Sequence, residues 1–464
     1  HQQMYYKWVE RAYKAGLRTM TIHGTNIEAL CNVAVQTGGN KDPDVMDEDC
    51  VDMSVGEKQI DYVHAIQDYI DAQEGGPGKG WFRIVMSPAE ARDVIAEGKL
   101  AVITGLEFSN LFGCTVTFAP DGSETSGCTK EQIDAGVEEA WNRGIRQIFA
   151  YHDVDSALGG TGIFSFALDL VGYYGTHGFW KTYDCADGGE GPAWFYDGGT
   201  YMYSDQFPAG FGSDPITLAL IEATQGTFPL YPSGKRQCNA RGVTDLGMYA
   251  LDRLMRKGFV LDIDHSEVSI KQYMLDQGKL VAPNYPMLSA HGGHGGITDA
   301  QATQMIKQGG LIYPALPNGK EYADFVQKVK KNWTASGTSR PLAVGYGADS
   351  NGLRNLPTPR GAGSTPVVYP FTLFQGAGWG PQYGAAKIAP LKVDQLAIPD
   401  GRSWDINEEG MSHYGLVPDV IEEARIEGGQ ETTDAIYRSA EAYLQMWEQT
   451  QSAAAEWRKK PLLP

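Results

Sequence analysis

The feature that most constrains this chain is a repeated order: a helical pattern, a short apolar run, then an ionisable residue just past the run. Leu100-Ala101-Val102-Ile103-Thr104-Gly105-Leu106 delivers Glu107, and Ile145 to Ala150 delivers Tyr151-His152. Phe259 to Ile263 delivers Asp264-His265, Met287-Leu288-Ser289-Ala290 delivers His291, and Leu342 to Gly347 delivers Asp349. Leu17 to Ile22 runs into His23-Gly24, and Leu311 to Ala315 adds a further strand. Between these runs lie helical patterns at Met4–Gly16, Gln59–Ala72, Pro88–Glu97, Lys130–Asn142, Asp245–Lys257, Val268–Gln277 and Thr298–Gln308. Ser87 caps one of them, and Gly98, Gly144 and Gly258 stop three. Strands that alternate with helices imply parallel βαβ units. An open doubly wound sheet fits that alternation equally well. Where the ionisable residues fall decides between them, because the carboxyl ends of barrel strands share one face and active sites gather there.

The expected fold is therefore α/β, a (β/α)8 TIM-type barrel forming a single domain over residues 1–464. Two long insertions, 159–237 and 351–405, are expected to be lids or packed surface arms. A C-terminal helix over 432–457, with Ile436, Ala440, Tyr443, Met446 and Trp447 on one face, is expected to pack on the barrel exterior.

Composition narrows the function. A net charge of -19 argues against nucleic acid, whose phosphates attract Lys and Arg. No apolar run is long enough to span a membrane. The chain opens at His1-Gln2-Gln3-Met4, so upstream sequence, including a signal, is expected to be absent from it. Six cysteines without a CxxC pair argue against a thiolate zinc site. Cys114 and Cys128 bracket a hairpin-like stretch with the turn Pro120-Asp121-Gly122, which suits a disulfide, the alternative being six buried free thiols. A disulfide there would place the protein in an oxidising setting: secreted, periplasmic or extracellular.

Taken singly, each ionisable residue has an ordinary structural explanation. A His at a strand end is commonly a hydrogen-bonded core residue, and a Glu after an apolar strand can face solvent. Together they are harder to explain that way, because gathering several such groups at one barrel mouth is costly without a metal or mutual pairing. Imidazole and carboxylate donors suit zinc or a similar divalent ion, which supplies hydroxide near neutral pH. No GxSxG elbow or Walker loop is present. Gly292-Gly293-His294-Gly295-Gly296 mimics a phosphate loop but lacks the Lys-Ser/Thr ending, so close backbone approach at the mouth is its expected role.

Several segments, in order from about Gln59 to Trp447, resemble the membrane (renal-type) dipeptidase family of amidohydrolase-like barrels. They are Gly98 to Glu107, Gly258 to Ser266, Leu288 to His291, Val344 to Gly352, Tyr151-His152-Asp153 and His413 to Asp419. The resemblance implies two metal ions, most often zinc, with Glu107 bridging and His265 and His291 as ligands. It implies that His152 contacts the substrate and that Asp349 serves in proton transfer or amine binding. The reaction implied is hydroxide attack on an amide carbonyl of a small, dipeptide-like substrate.

Three departures accompany it. The family's first strand carries an H-x-D pair for the other metal, and His23-Gly24-Thr25 lacks the Asp. The first strand is thus expected to lie upstream of His1, on a separate segment, leaving ligands for the second ion outside this chain. No Arg occurs between His291 and Ser339 to bind a dipeptide carboxylate, and the last motif has Asn351 for its second Asp. Another acyl or lactone substrate, or a barrel subunit that has lost part of its metal site, are the competing readings. A carbohydrate-active barrel would need two opposed acids ~5–10 Å apart and leaves the histidines unexplained. A homo-oligomer is compatible with all of these. His1, His64 and His177 are read as structural or surface residues, and His294 as one that touches a ligand side chain and not the metal itself.

Overall fold

The computed structural model describes residues 5–38, 49–163, 166–185, 193–195, 212–229, 231, 237–347, 349, 356–374, 389–398 and 401–462. Its centre is a curled parallel sheet. The strands are β1 (Thr19–Asn26), β2 (Phe82–Ile84), β3 (Leu100–Phe108), β4 (Ile145–Phe149), β5 (Val260–Asp262), β6 (Met287–Ser289) and β7 (Leu311–Ile312). They pair in the order β1-β3-β4-β5-β6-β7, with β2 hydrogen-bonded to the first residues of β3. A parallel bridge from Ala315 to Gly347 continues the curl into the segment 342–347. The expected barrel is thus present as a partial one. Among the described residues β1 pairs only with β3 and β3 with β1, β2 and β4.

All nine residues of β3 are buried, as a parallel strand covered on both faces must be. The helices lie outside it and start where local chemistry says they should. Ser87 accepts from the Glu90 N–H, and Thr129 and Gln132 form a reciprocal capping box. Gly258 closes the helix Asp245–Lys257 in the left-handed conformation at φ 100°. The helix expected from Gln59 instead begins at Asp52. Its first turn is held by distant partners: the buried Asp52 carboxylate accepts from the N–H groups of Glu28 and Asn110 and from Asn26.

The expected unbroken helix 432–457 is interrupted at Arg438, where the helical segment Val417–Tyr437, itself kinked at Gly429 (φ 66°), gives way to the helix Ser439–Trp457. The Ala435 carbonyl, which Ser439 N–H would use in a continuous helix, instead accepts from Val344 N–H at 3.0 Å. The second helix also differs from the exterior role expected of it. Tyr443 reaches inward and donates to the Gln147 side chain of β4 at 2.8 Å, both groups being buried. Tyr443 also lines the interior cavity of the curled sheet.

The insertions are described in part. Within 159–237, residues 164–165, 186–192, 196–211, 230 and 232–236 lie outside the described residues, as do 351–355, 375–388 and 399–400 of the second insertion, Asn351 among them. The first contributes helices Phe166–Thr176 and Pro215–Ala223. The hairpin predicted between Cys114 and Cys128 is present, Val116–Phe118 pairing antiparallel with Glu124–Ser126. All six cysteines are joined, as Cys31–Cys50, Cys114–Cys128 and Cys185–Cys238. No helix among the described residues is long and apolar enough to cross a membrane.

Cross-linking two cysteines 14 residues apart removes loop freedom from the unfolded chain, worth about 3 kcal/mol. The double substitution Cys114→Ser/Cys128→Ser is expected to lower the unfolding free energy by about that amount in denaturant titration. A midpoint unchanged from wild type would show that the hairpin is not cross-linked in solution.

Candidate metal centre

The carboxyl end of β3 places Glu107 where three histidines from three other strand ends meet it. Glu107 Oε1 lies 3.2 Å from His265 Nε2, 3.6 Å from His152 Nε2 and 3.7 Å from His291 Nδ1. Its other oxygen lies 3.4 Å from His23 Nδ1 of β1. His265 Nε2 and His291 Nδ1 are 3.1 Å apart. Asp349 Oδ1 stands 4.0 Å from His291 Nε2. All five residues predicted for the site therefore come together at one mouth, and His23 joins them. His23 was legible by the same rule, being an ionisable residue on a strand, but its missing Asp partner set it aside.

The backbone around this cluster is built to hold it. Asp264, after β5, accepts from the Ser289 hydroxyl at 2.8 Å and from His291 N–H at 2.6 Å, which fixes the end of β6. Asp262 accepts from the N–H groups of Asp264 and Ala290. The His265 carbonyl accepts from Gly162 N–H at 2.6 Å, and the Thr161 hydroxyl sits against the carbonyls of His152 and His265. His265 and Asp349 both have positive φ, 64° and 36°, a conformation that costs a non-glycine residue on the order of 1–3 kcal/mol. Such strain gathers at functional sites, where the surroundings over-determine it. Gly105 is required for a different reason. A Cβ there would sit 2.2 Å from His23 Cδ2, so only glycine lets that ring lie across β3.

Electrostatics follow from burial and proximity. Burial alone would raise the Glu107 carboxyl, yet His291, His23, His265 and His152 together hold it well below the usual range. Burial would lower the His265 imidazole, but Asp153 and Glu107 outweigh it and raise it to about 10. Asp153 Oδ1 lies 3.0 Å from His265 Nδ1. Its carboxyl is pushed down, the histidines beside it prevailing over burial. His152 moves the other way, lowered chiefly by burial. The ring of Phe149 stacks on His291 and meets His23 and His265 edge-on, giving the cluster an apolar floor.

The arrangement suits a cation. Glu107 Oε1 and His152 Nδ1 are buried with no hydrogen-bond partner among the described residues. Buried polar atoms are rarely left so. The donor atoms of Glu107, His152 and His265 lie within 4.8 Å of one another. Two imidazoles and a carboxylate are the donor set of open zinc sites. A cavity of about 820 Å³ opens at the cluster, lined there by His23, Glu107, His152, His291 and Asp349.

No family model matches the chain, and no curated protein matches it. Among solved structures it is similar to an amidohydrolase from Pseudomonas aeruginosa, at 11% identity and TM-score 0.45, over 97% of this chain and 94% of that one. It is also similar to the probable dipeptidase PvdM from the same organism, at 12% identity and TM-score 0.41, over 96% and 88% of the two chains.

The raised His265 pKa has a sign that can be checked. In the metal-free protein the paired imidazolium stabilises the fold fully below the ordinary value of 6.5, and that contribution is lost as pH rises through about 10. Below about 10 a cation must displace the ring proton. Loading a chelator-stripped sample with zinc should therefore release protons, with apparent affinity falling as pH is lowered. Titration calorimetry in buffers of different ionisation enthalpy reads this directly. Zinc binding with no proton release would contradict the assignment of His265 as a ligand.

Proposed function

We propose that this protein is a metal-dependent hydrolase that cleaves an amide bond in a small, dipeptide-like substrate. The observation that carries this reading is the convergence of His152, His265 and His291, at 3.2–3.7 Å, on one oxygen of the buried Glu107 that makes no hydrogen bond among the described residues. Glu107, His265 and His291 are assigned as metal ligands, with zinc the expected ion. When bound, such an ion polarises a carbonyl oxygen and brings the pKa of its water toward ~7.

The chain's own residues supply the rest. Glu107 holds its negative charge in the protein interior, which keeps it a donor across the working pH range. His152, lowered by burial, stays neutral at physiological pH and can donate or accept a hydrogen bond at the substrate. Asp349 lines the same cavity and is assigned to carry a proton to the leaving amine or to bind it. The buried Phe149 ring beneath the cluster makes its surroundings apolar, which strengthens each of these interactions. The three disulfides support an oxidising compartment, and so a secreted, periplasmic or extracellular location. Hydrolysis of another acyl or lactone substrate is the runner-up, since no Arg lies between His291 and Ser339 to take a dipeptide carboxylate.

The test joins elemental analysis with a substrate screen that begins with dipeptides. His265→Ala and His291→Ala should each abolish tight metal binding and activity together. Asp349→Asn should keep the metal and lose about 10²–10⁴-fold in kcat. His152→Ala should keep the metal and affect KM and kcat. Full activity in either ligand variant would sink the assignment, and a protein that holds no metal would favour a non-catalytic subunit.

A further inference from the structure

His265 presents its two ring nitrogens to two different sets of donors. Nε2 faces Glu107 and His291, as described. Nδ1 faces Asp153, 3.0 Å away, and the ring of His294 stands 4.6 Å from that of His265 at an interplanar angle of 73°. The donor atoms of Asp153, His265 and His294 all lie within 4.8 Å of one another. From this we propose that a second divalent transition-metal ion binds between Asp153, His294 and His265 Nδ1, so that one imidazole joins two cations. The ligands for a second ion, expected from the sequence to lie outside this chain, are on this reading within it.

The local backbone is shaped to bring His294 there. Gly292, Gly293, Gly295 and Gly296 all have positive φ, between 69° and 95°, a conformation that L side chains rarely adopt. A Cβ on Gly295 would lie 2.9 Å from the Ser266 carbonyl, and one on Gly162 would lie 2.3 Å from Gly295 Cα. The glycines thus permit the loop after β6 to press against the loops that carry His152 and His265. His294 O accepts from His265 N–H at 3.0 Å and from the fully buried Lys271 amine at 2.9 Å, which also reaches the Ser266 carbonyl. Five glycines and a buried lysine lock one histidine against another.

A carboxylate alone would suffice to orient His265 toward the first ion, because a ligand imidazole ordinarily gives its other N–H to a carboxylate or carbonyl. What such an orienting role leaves unexplained is the third donor. His294 adds a second imidazole to the Asp153 side at ligand spacing, and Asp/His/His is a donor set for zinc, copper or nickel. His294 is half-buried, which leaves the set open on one side to an incoming ion. Binding at both nitrogens requires that the His265 ring give up its remaining proton to solvent.

The inference shares His265 with the proposed catalytic centre, but Asp153 and His294 belong to the second set alone, so the two can fail separately. The test strips the full chain with chelator and titrates it with zinc, reading stoichiometry by calorimetry and elemental analysis. Wild type should take close to two ions. Asp153→Asn and His294→Ala should each take one, and Glu107→Gln should also take one, with His265→Ala holding neither tightly. Copper-loaded wild type should give less paramagnetic resonance intensity than two isolated ions, because a shared imidazolate couples them, and His294→Ala should restore the signal of one isolated ion.

One zinc ion in wild type, with His294→Ala unchanged and Asp153→Asn weakened about 10–100-fold, would overturn the proposal and make Asp153 a positioning residue. Two ions in a protein that hydrolyses nothing would uphold this site and sink the hydrolase reading. Should Asp153→Asn fail to fold, His294→Ala, altering a half-buried loop residue, carries the same stoichiometric test.

Discussion

A buried carboxylate with one oxygen that makes no hydrogen bond among the described residues is the constraint around which the rest of this structure is arranged. Taking an ionised carboxylate out of water costs several kcal/mol, and the protein can offset that only with well-placed positive or polar partners. Glu107 meets the cost by standing among four imidazoles, those of His23, His152, His265 and His291. His23 comes from within β1 and the others from beyond the ends of three further strands, so the charge at one point depends on the curl of the whole sheet. A flat sheet carrying the same residues would leave Glu107 without most of its partners. The curl and the charge therefore explain one another.

Holding the partners in place is the work of a second layer of polar groups. Asp262 and Asp264 tie the end of β5 to the end of β6 through backbone N–H groups. Burial and the neighbouring Asp264 raise the Asp262 carboxyl well above its usual range, which makes this a crowded pocket of acids kept in order by main-chain donors. Thr161, Gly162 and Lys271 fasten the loops on the other side. The left-handed backbone at His265 and Asp349 is the local cost of this arrangement, and it falls on two residues of the histidine and carboxylate cluster.

Much of this was legible in the sequence because the rule involved is local. An apolar run buried on both faces ends where the chain meets solvent, and the residue there points to the mouth, which identifies Glu107, His152, His265, His291 and Asp349. The features that escaped depend on contacts between distant segments. Nothing near Cys31 or Cys185 signals that their partners are Cys50 and Cys238. The start of the helix at Asp52 is set by Glu28 and Asn110, far away in sequence. The break at Arg438 goes with the capture of the Ala435 carbonyl by Val344 N–H of the segment 342–347. Asp153 lay in plain view beside His152, but its turn toward His265 is a product of the loop that Thr161 and Gly162 close. The glycines around His294 read in the sequence as a close-approach device, and they act as one, but the place of His294 depends on how the neighbouring loops pack.

The central claim is that Glu107 and His265 hold a divalent ion, and the most direct measurement is anomalous diffraction at the zinc edge from crystals of the zinc-loaded protein. The account predicts a peak within about 2.0–2.2 Å of both a Glu107 carboxylate oxygen and His265 Nε2. An anomalous map with no peak inside the cavity mouth, from crystals whose solution contained zinc, would contradict it.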